Sequence, residues 1–278
     1  MMAAKVAPLL ASPSASPSAS QSPPSSGLPA PLLQARDLWL SAGGRPVLRD
    51  VTFEVNRAEV LVIVGPSGSG KSTLLRHLAG LDRPDRGRIS VQGQDLHAGD
   101  EATQQRLRRS QGVMFQSGAL WGSMTVGENL MLPMRLFSGL GLTEVRERAH
   151  ALLERVGLAD AFGRMPAQLS GGMRKRAALA RALALDPPLV LLDEPGSGLD
   201  PLNAQRLDEL VLELRHHLGK AVVMVTHEVR SVRAVADRAL YLDDQEMTMT
   251  ALGTPDELAR HASSAVRRFF ALGAGQAS

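Results

Sequence analysis

The eight residues Gly65-Pro-Ser-Gly-Ser-Gly-Lys71-Ser72 constrain the fold more than any other stretch of the chain. They match G-x-x-x-x-G-K-[ST] without a departure. The context fits too. Val60–Val64 (VLVIV) is continuously apolar, as a strand buried on both faces of a parallel sheet must be, and Ser72–Leu78 continues as an amphipathic helix. Such a loop needs glycine because a side chain would keep the backbone from wrapping a phosphate. Successive N–H groups and the helix N-terminus then face the anion. The expectation is a nucleotide site built from Gly65, Pro66, Ser67, Gly68, Ser69, Gly70, Lys71, Ser72 and Thr73. Lys71 would reach the β- and γ-phosphates, and the Ser72 hydroxyl would ligate Mg²⁺. Alone, the loop leaves kinases, GTPases and many ATPases open.

The surrounding pattern is that of an α/β protein. Leu189–Leu192 and Ala221–Val225 repeat the buried-strand reading, whereas Val51–Val55 alternates like an edge strand and Arg88–Val91 looks similar. Thr143–Val156 places Val145, Ala149, Leu152, Leu153 and Val156 on one helical face. Asp200 followed by Pro201 reads as an N-cap and first helical residue, opening a helix towards Leu218. Buried strands alternating with helices imply a parallel sheet. The run from about 118 to 170 has no such strand and reads as an inserted helical subdomain.

Ahead of this pattern, residues 1–31 form a tail in which 21 of the first 30 positions are Ala, Ser or Pro. It has too little apolar surface to offset its ordering entropy, so disorder is expected there, with the globular part spanning 32–278. The chain has no cysteine, which excludes disulfides and thiolate metal sites. No uncharged run is long and apolar enough to span a bilayer, so a soluble protein that meets membranes through a partner is expected. The net charge of +3 is almost all arginine in origin and carries little weight.

Leu189-Val-Leu-Leu-Asp193-Glu194 supplies the second part of a nucleotide site. The strand would bring Asp193 beside the nucleotide to hold Mg²⁺ through water. Glu194 is the candidate general base, polarising the water that attacks the γ-phosphate. An acidic pair after a strand is common; its meaning here comes from following a phosphate loop.

Leu169-Ser-Gly-Gly-Met173, continued by Arg174-Lys-Arg-Ala-Ala-Leu, lies 23 residues before Asp193, counted from Ser170. A serine cap and two glycines at a helix start form a second anion site. This stretch resembles the signature motif of ABC ATPases. Further matches agree: Gln116 with the family's Q-loop glutamine, Ser197-Gly-Leu-Asp200 with its D-loop, and His227 with its switch histidine. The resemblance covers nearly everything from about Leu33 onward. It implies an ABC ATPase cassette: a P-loop NTPase-type parallel sheet, an antiparallel β subdomain and the helical insertion. It also implies ATP and Mg²⁺ as ligands, with Ser72, Gln116 and Asp193 on the metal and Glu194 and His227 at the γ-phosphate. A head-to-tail homodimer follows, in which Ser170, Gly171, Gly172 and Asp200 complete the partner's site. The chain would be the ATP-hydrolysing subunit of a transporter.

Three positions depart from the family pattern. Ala42 stands where many members stack an aromatic on adenine, leaving neighbouring Trp39 as the substitute to test. Met173 replaces the usual signature glutamine, so one polar contact is absent. Ala58 replaces a usual glycine before the central strand, a change expected to be benign.

Phe115-Gln-Ser-Gly-Ala-Leu-Trp-Gly-Ser-Met-Thr-Val-Gly-Glu-Asn, the LSGGM-RKRAALARALAL run and the tail Ala265-Val-Arg-Arg-Phe-Phe look like the ATPase of the MCE-type (Mla) phospholipid transporters. That resemblance implies an integral-membrane permease and an MCE-domain lipid-binding protein as partners, and no nucleic acid. It places the chain on the cytoplasmic face of the inner membrane, peripheral through the permease. Transporters of other cargo, such as amino acids or lipoproteins, remain the nearest alternative. A soluble ABC protein acting on DNA or ribosomes would usually carry a coiled-coil insertion or tandem cassettes, and this sequence has neither. A P-loop kinase would lack the signature and the D-loop.

Overall fold

The computed structural model describes residues 30–272, so nearly all of the tail expected to be disordered lies outside the described residues. The described chain opens with a hairpin, β1 (Leu33–Ala42) and β2 (Arg45–Val55), and then enters β3 (Val60–Val64), whose five residues are all buried. Helix α1 (Lys71–Leu78) follows the phosphate loop. β4 (Arg86–Val91) and the short β5 (Gln94–Asp95) return to the hairpin, giving an antiparallel sheet of order β2-β1-β4-β5. Val51, Phe53 and Val55 point inward from β2, which is the edge strand that the alternation predicts.

Helix α2 (Glu101–Arg109) leads to β6 (Gln111–Met114). Next come α3 (Val126–Phe137), α4 (Leu142–Arg155), single turns at Ala159–Ala161 and Pro166–Gln168, and α5 (Gly171–Ala182). The remainder alternates: β7 (Leu189–Asp193), α6 (Pro201–His216), β8 (Ala221–Val225), α7 (Val229–Val235) and β9 (Arg238–Asp243). β10 (Thr248–Gly253), α8 (Pro255–His261) and α9 (Ser264–Leu272) close it. The second sheet has the order β10-β9-β3-β8-β7-β6, parallel from β9 to β6 with β10 antiparallel at one edge.

Its central strands read as unbroken apolar runs because they serve two cores. Leu61, Ile63, Leu191, Val223 and Val225 pack towards the antiparallel sheet and α1. Val60, Val62, Val64, Val190, Leu192 and Val222 pack towards α6, α7 and α9. Each such side chain, fully buried, contributes about 1.5–3 kcal/mol of transfer free energy. A third core holds α3 and α4 against α5 through Val126, Leu130, Val145, Ala149, Ala177 and Ala180. α5 therefore touches two cores, since Ala178 and Leu179 belong to the second. Among the described residues, no helix is long and apolar enough to cross a membrane.

Local readings need three adjustments. The strand expected at Val113–Phe115 runs over Gln111–Met114, and Phe115 accepts the Gly118 N–H in a turn. Gly112 hid the strand's start: a Cβ there would lie 2.3 Å from Ala182 O, so only glycine fits beside α5. The helix opening at Asp200 ends at His216 rather than Leu218. Ala58, expected to be benign, has φ +52°. In that left-handed region a non-glycine residue costs about 1–2 kcal/mol, so the usual glycine would be less strained.

Asp208 of α6 accepts a hydrogen bond from Ser231 Oγ of α7 at 3.1 Å. Burial, helped by Glu228, pushes its carboxyl up to about 6, against the Ser231 bond. A folded-state value above the unfolded one means that Asp208's contribution to stability is full below about pH 4. It is lost as pH rises through 6. Asp208→Asn keeps an acceptor for Ser231 and removes the charge. Thermal melts at pH 5 and 7.5 should therefore show the variant gaining on the wild type at the higher pH; an equal difference at both would contradict this reading.

Candidate functional site

The site lies along the C-terminal edge of the parallel sheet, where strand dipoles, helix N-termini and loops meet. Gly65 leaves β3 with φ +150°, and a Cβ there would lie 2.3 Å from Leu242 O of β9. The loop thus runs against the neighbouring strand too closely for any side chain. Gly70 caps α1 with φ +88°, and its Cβ would strike Val47 at 2.7 Å. The loop's shape is fixed by the packing around it.

Lys71 Nζ donates to Gly65 O at 3.0 Å and to Pro66 O at 2.7 Å, so the ammonium crosses the mouth of the loop. Burial lowers its pKa, opposed by Glu194, Asp193 and Asp244. Ser72 Oγ donates to Asp193 Oδ1 at 3.0 Å, joining the start of α1 to the end of β7. Asp193 is only 9% exposed. That burial raises its pKa, as does Glu194, while the Ser72 bond and the two lysines, Lys175 and Lys71, lower it.

Glu194 is equally buried and has φ +47°. Its N–H donates to Val225 O at 2.9 Å, across to β8. Two residues past β8, His227 places Nδ1 2.9 Å from Glu194 Oε1. The side chain of His227 is otherwise 62% exposed, so it reaches from the surface onto the buried carboxylate.

An oxygen pair such as Ser72 Oγ and Asp193 Oδ1 suits a hard cation such as Mg²⁺. Among the described residues, no three His, Asp or Glu side chains converge to hold a metal by themselves. Gln116, the third predicted ligand, lies in the turn after β6 with its side chain exposed, and no hydrogen bond joins it to Ser72 or Asp193. Its carbonyl is instead held by Lys175.

The structure thus brings together the loop residues, Asp193, Glu194 and His227. It leaves Ser170, Gly171 and Gly172 apart. They form the N-terminus of α5, where Ser170 Oγ accepts the Met173 N–H at 3.3 Å. Gly172 abuts Asn203, which in turn is held by the Asp200 carboxylate at 2.6 Å. The signature and Asp200 therefore share one patch, and no hydrogen bond links that patch to residues 65–72. Met173 packs against the helical core, which accounts for an apolar residue there.

Trp39 does not stand in for an aromatic at Ala42. Its ring lies under the Arg86 guanidinium, 5.3 Å away, in an apolar pocket with Pro46, Leu48 and Met247. Ala42 instead lines a polar cavity of about 540 Å³ with Thr73, Arg76 and His77, beside α1. Sequence reasoning did not place Lys175 at the site, nor foresee that Glu194, the expected general base, has a left-handed backbone. A lysine amid an arginine-rich helix was the available signal for the first; nothing marks the second.

The ABC transporter family model matches residues 48–197. The methionine import ATP-binding protein MetN of Caulobacter vibrioides is 41% identical over 228 residues, covering 82% of this chain and 68% of that protein. A probable ribonucleotide transport ATP-binding protein, mkl, of Mycobacterium leprae is 38% identical over 85% of this chain and 68% of its own length. The chain spans only 55% of the MetN of Rhizobium etli. A dimeric ATP-binding cassette in a post-hydrolysis state with ADP and Pi superposes with a TM-score of 0.73 at 31% identity, over 80% of this chain and 98% of that one. The cbiO1 protein of Clostridium perfringens, part of an ABC transporter complex, gives 0.75 at 27% identity, over 88% and 96%.

Gly65→Ala tests the loop geometry. The clash with Leu242 O and the positive φ should cost about 1–3 kcal/mol in urea denaturation. Gly163→Ala, with nothing within 4 Å, is the control and should stay within about 0.5 kcal/mol of wild type. Equal effects in the two variants would refute the packing argument.

Proposed function

The chain belongs to the ABC transporter family as an ATP-binding, ATP-hydrolysing subunit, and from that premise we propose how its residues act and what they serve. Two copies bind two ATP at a shared interface, and closure of that interface drives a permease between states. The observation that carries this reading is the separation within one chain. The loop, Asp193, Glu194 and His227 converge, while Ser170–Gly172 and Asp200 form a patch elsewhere. A second copy, turned head to tail, would bring its patch to the first copy's phosphates.

Lys71 and the amides of residues 67–72 position the phosphates, with Thr73 and the Ala42 cavity beside them. Ser72, Asp193 and Gln116 would hold Mg²⁺, which neutralises phosphate charge when bound. Glu194 takes a proton from the attacking water, held in place by its backbone and facing His227. His227 supports the γ-phosphate, and the partner's patch excludes solvent from the far side. Hydrolysis then reopens the pair.

The permease would meet the groove between β6, α3 and α5. Trp121, Leu136 and Phe137 are exposed around it, at 59%, 62% and 46%. Apolar side chains of this size, clustered on a surface, support a protein partner. The helical insertion of about 118–170 supplies half of the residues lining this groove. Such docking would put the chain on the cytoplasmic face of the inner membrane.

For cargo we favour phospholipid or a similar hydrophobic molecule, with an MCE-domain protein in the complex. The support is the run from Phe115 to Asn129 and the LSGGM helix. A second reading is import of a small solute such as methionine, favoured by the 41% identity to MetN.

Glu194→Gln should keep ATP binding and lose turnover by about 10²-fold or more, as expected on removing a general base. It should also accumulate as a dimer with ATP in size-exclusion chromatography. Turnover near wild type would remove Glu194 from this role. Purified from native membranes with ATP, the same variant should carry a permease, an MCE-domain protein and phospholipid. A permease with a solute-binding protein would favour the second reading instead.

A further inference from the structure

Lys175, on the second turn of α5, lies outside the residues assigned above to the nucleotide, yet it joins two of their loops. Its Nζ donates to Gln116 O in the turn after β6 and, at 3.0 Å, to Glu194 O after β7. Six residues along the helix, Arg181 donates through Nη1 to Ala119 O at 2.6 Å and through Nη2 to Gly118 O at 3.2 Å. Between these ties, Gly118 rests against α5, where a Cβ would lie 3.3 Å from Ala178 Cβ. Turn 116–119 is therefore fastened to one helix by three of its carbonyls.

Glu194 is the residue for which such a tie matters most. A non-glycine residue in the left-handed region stays there only when its surroundings hold it. Here the holding bonds are its N–H to Val225 O, the Ser197 N–H to its carbonyl at 3.2 Å, and Lys175 to the same carbonyl. The Lys175 bond is the charge-assisted one of the three and so the strongest of its kind. Burial lowers the Lys175 pKa, while Glu194, Asp193 and Glu228 raise it. α5 itself packs on two cores and is capped by Ser170, so the signature end and Lys175 lie on one continuous helix.

We propose that Lys175 is a positioning residue that couples turn 116–119, and with it the Ser170 end of α5, to the backbone of Glu194. A shift of the turn or of α5 would move the Glu194 carboxylate relative to Ser72 and Asp193. The chain would then hydrolyse ATP fast only when the turn and α5 are seated together. This inference rests on the reading of Glu194 as the general base.

The test compares the full chain as wild type, Lys175→Met, Lys175→Gln and Lys175→Arg. Binding is read with a fluorescent ATP analogue, turnover by phosphate release, and folding by thermal melts. Lys175→Met should bind nucleotide as the wild type does and keep its KM, with kcat lowered by about 10- to 100-fold. Lys175→Arg, which keeps a cation with several donors, should recover most of that loss, and Lys175→Gln, a neutral donor, should fall between. If Lys175→Met does not fold, the Gln and Arg variants carry the same ordering. Unchanged kcat in a folded Met or Gln variant would overturn the proposal. So would equal losses in all three variants that track their melting temperatures. Near-wild-type turnover in Glu194→Gln would instead overturn the general-base premise, whatever Lys175 does.

Discussion

Two adjacent carboxylates, Asp193 and Glu194, are buried at the end of a fully apolar strand, and much of the surrounding arrangement answers to that placement. A buried charge is costly unless it is paired and hydrogen-bonded. Ser72 meets Asp193 and His227 meets Glu194, while Lys71 and Lys175 bring positive charge to both. These four partners come from three segments: the start of α1, the residues just past β8 and the second turn of α5. Burying the pair therefore ties together two strands, β7 and β8, and two helices, α1 and α5. The lysines are themselves held by backbone carbonyls, which leaves them able to exchange those contacts for phosphate oxygens or to keep them.

Most of this frame was legible in the sequence because its causes are local. VLVIV, LVLL and AVVMV are apolar throughout because alternate residues feed opposite cores, a pattern that an edge strand such as β2 does not share. The loop glycines and the Asp200 and Ser170 caps each follow from a rule of backbone geometry. What was not legible depends on contacts between distant segments. The start of β6 was hidden by Gly112, required only because α5 passes close by. Trp39 and Ala42, three residues apart on β1, line different cavities, which only the packing around each of them reveals. The left-handed Glu194 and its tie to Lys175 leave no mark on any single stretch.

The same distinction separates motor from cargo. Residues that handle phosphate must obey the chemistry of phosphate, whatever cargo the transporter moves. A chain 41% identical to a methionine import protein and 38% identical to a probable ribonucleotide transport protein shares their motor. Cargo is proposed to be chosen by partners, which would meet this chain at the groove beside Trp121 and Phe137.

The account stands or falls on a site completed by a second copy. Complementation between two inactive variants measures this directly. Lys71→Ala disables the phosphate loop and Ser170→Arg disables the patch, so each homodimer has two damaged composite sites. A mixed pair has one site with an intact loop and an intact patch. The prediction is that each variant alone hydrolyses almost no ATP and that mixing them restores activity well above their sum. If mixing gives only the sum, or if Ser170→Arg alone stays active, each chain completes its own site and the two-chain mechanism is wrong.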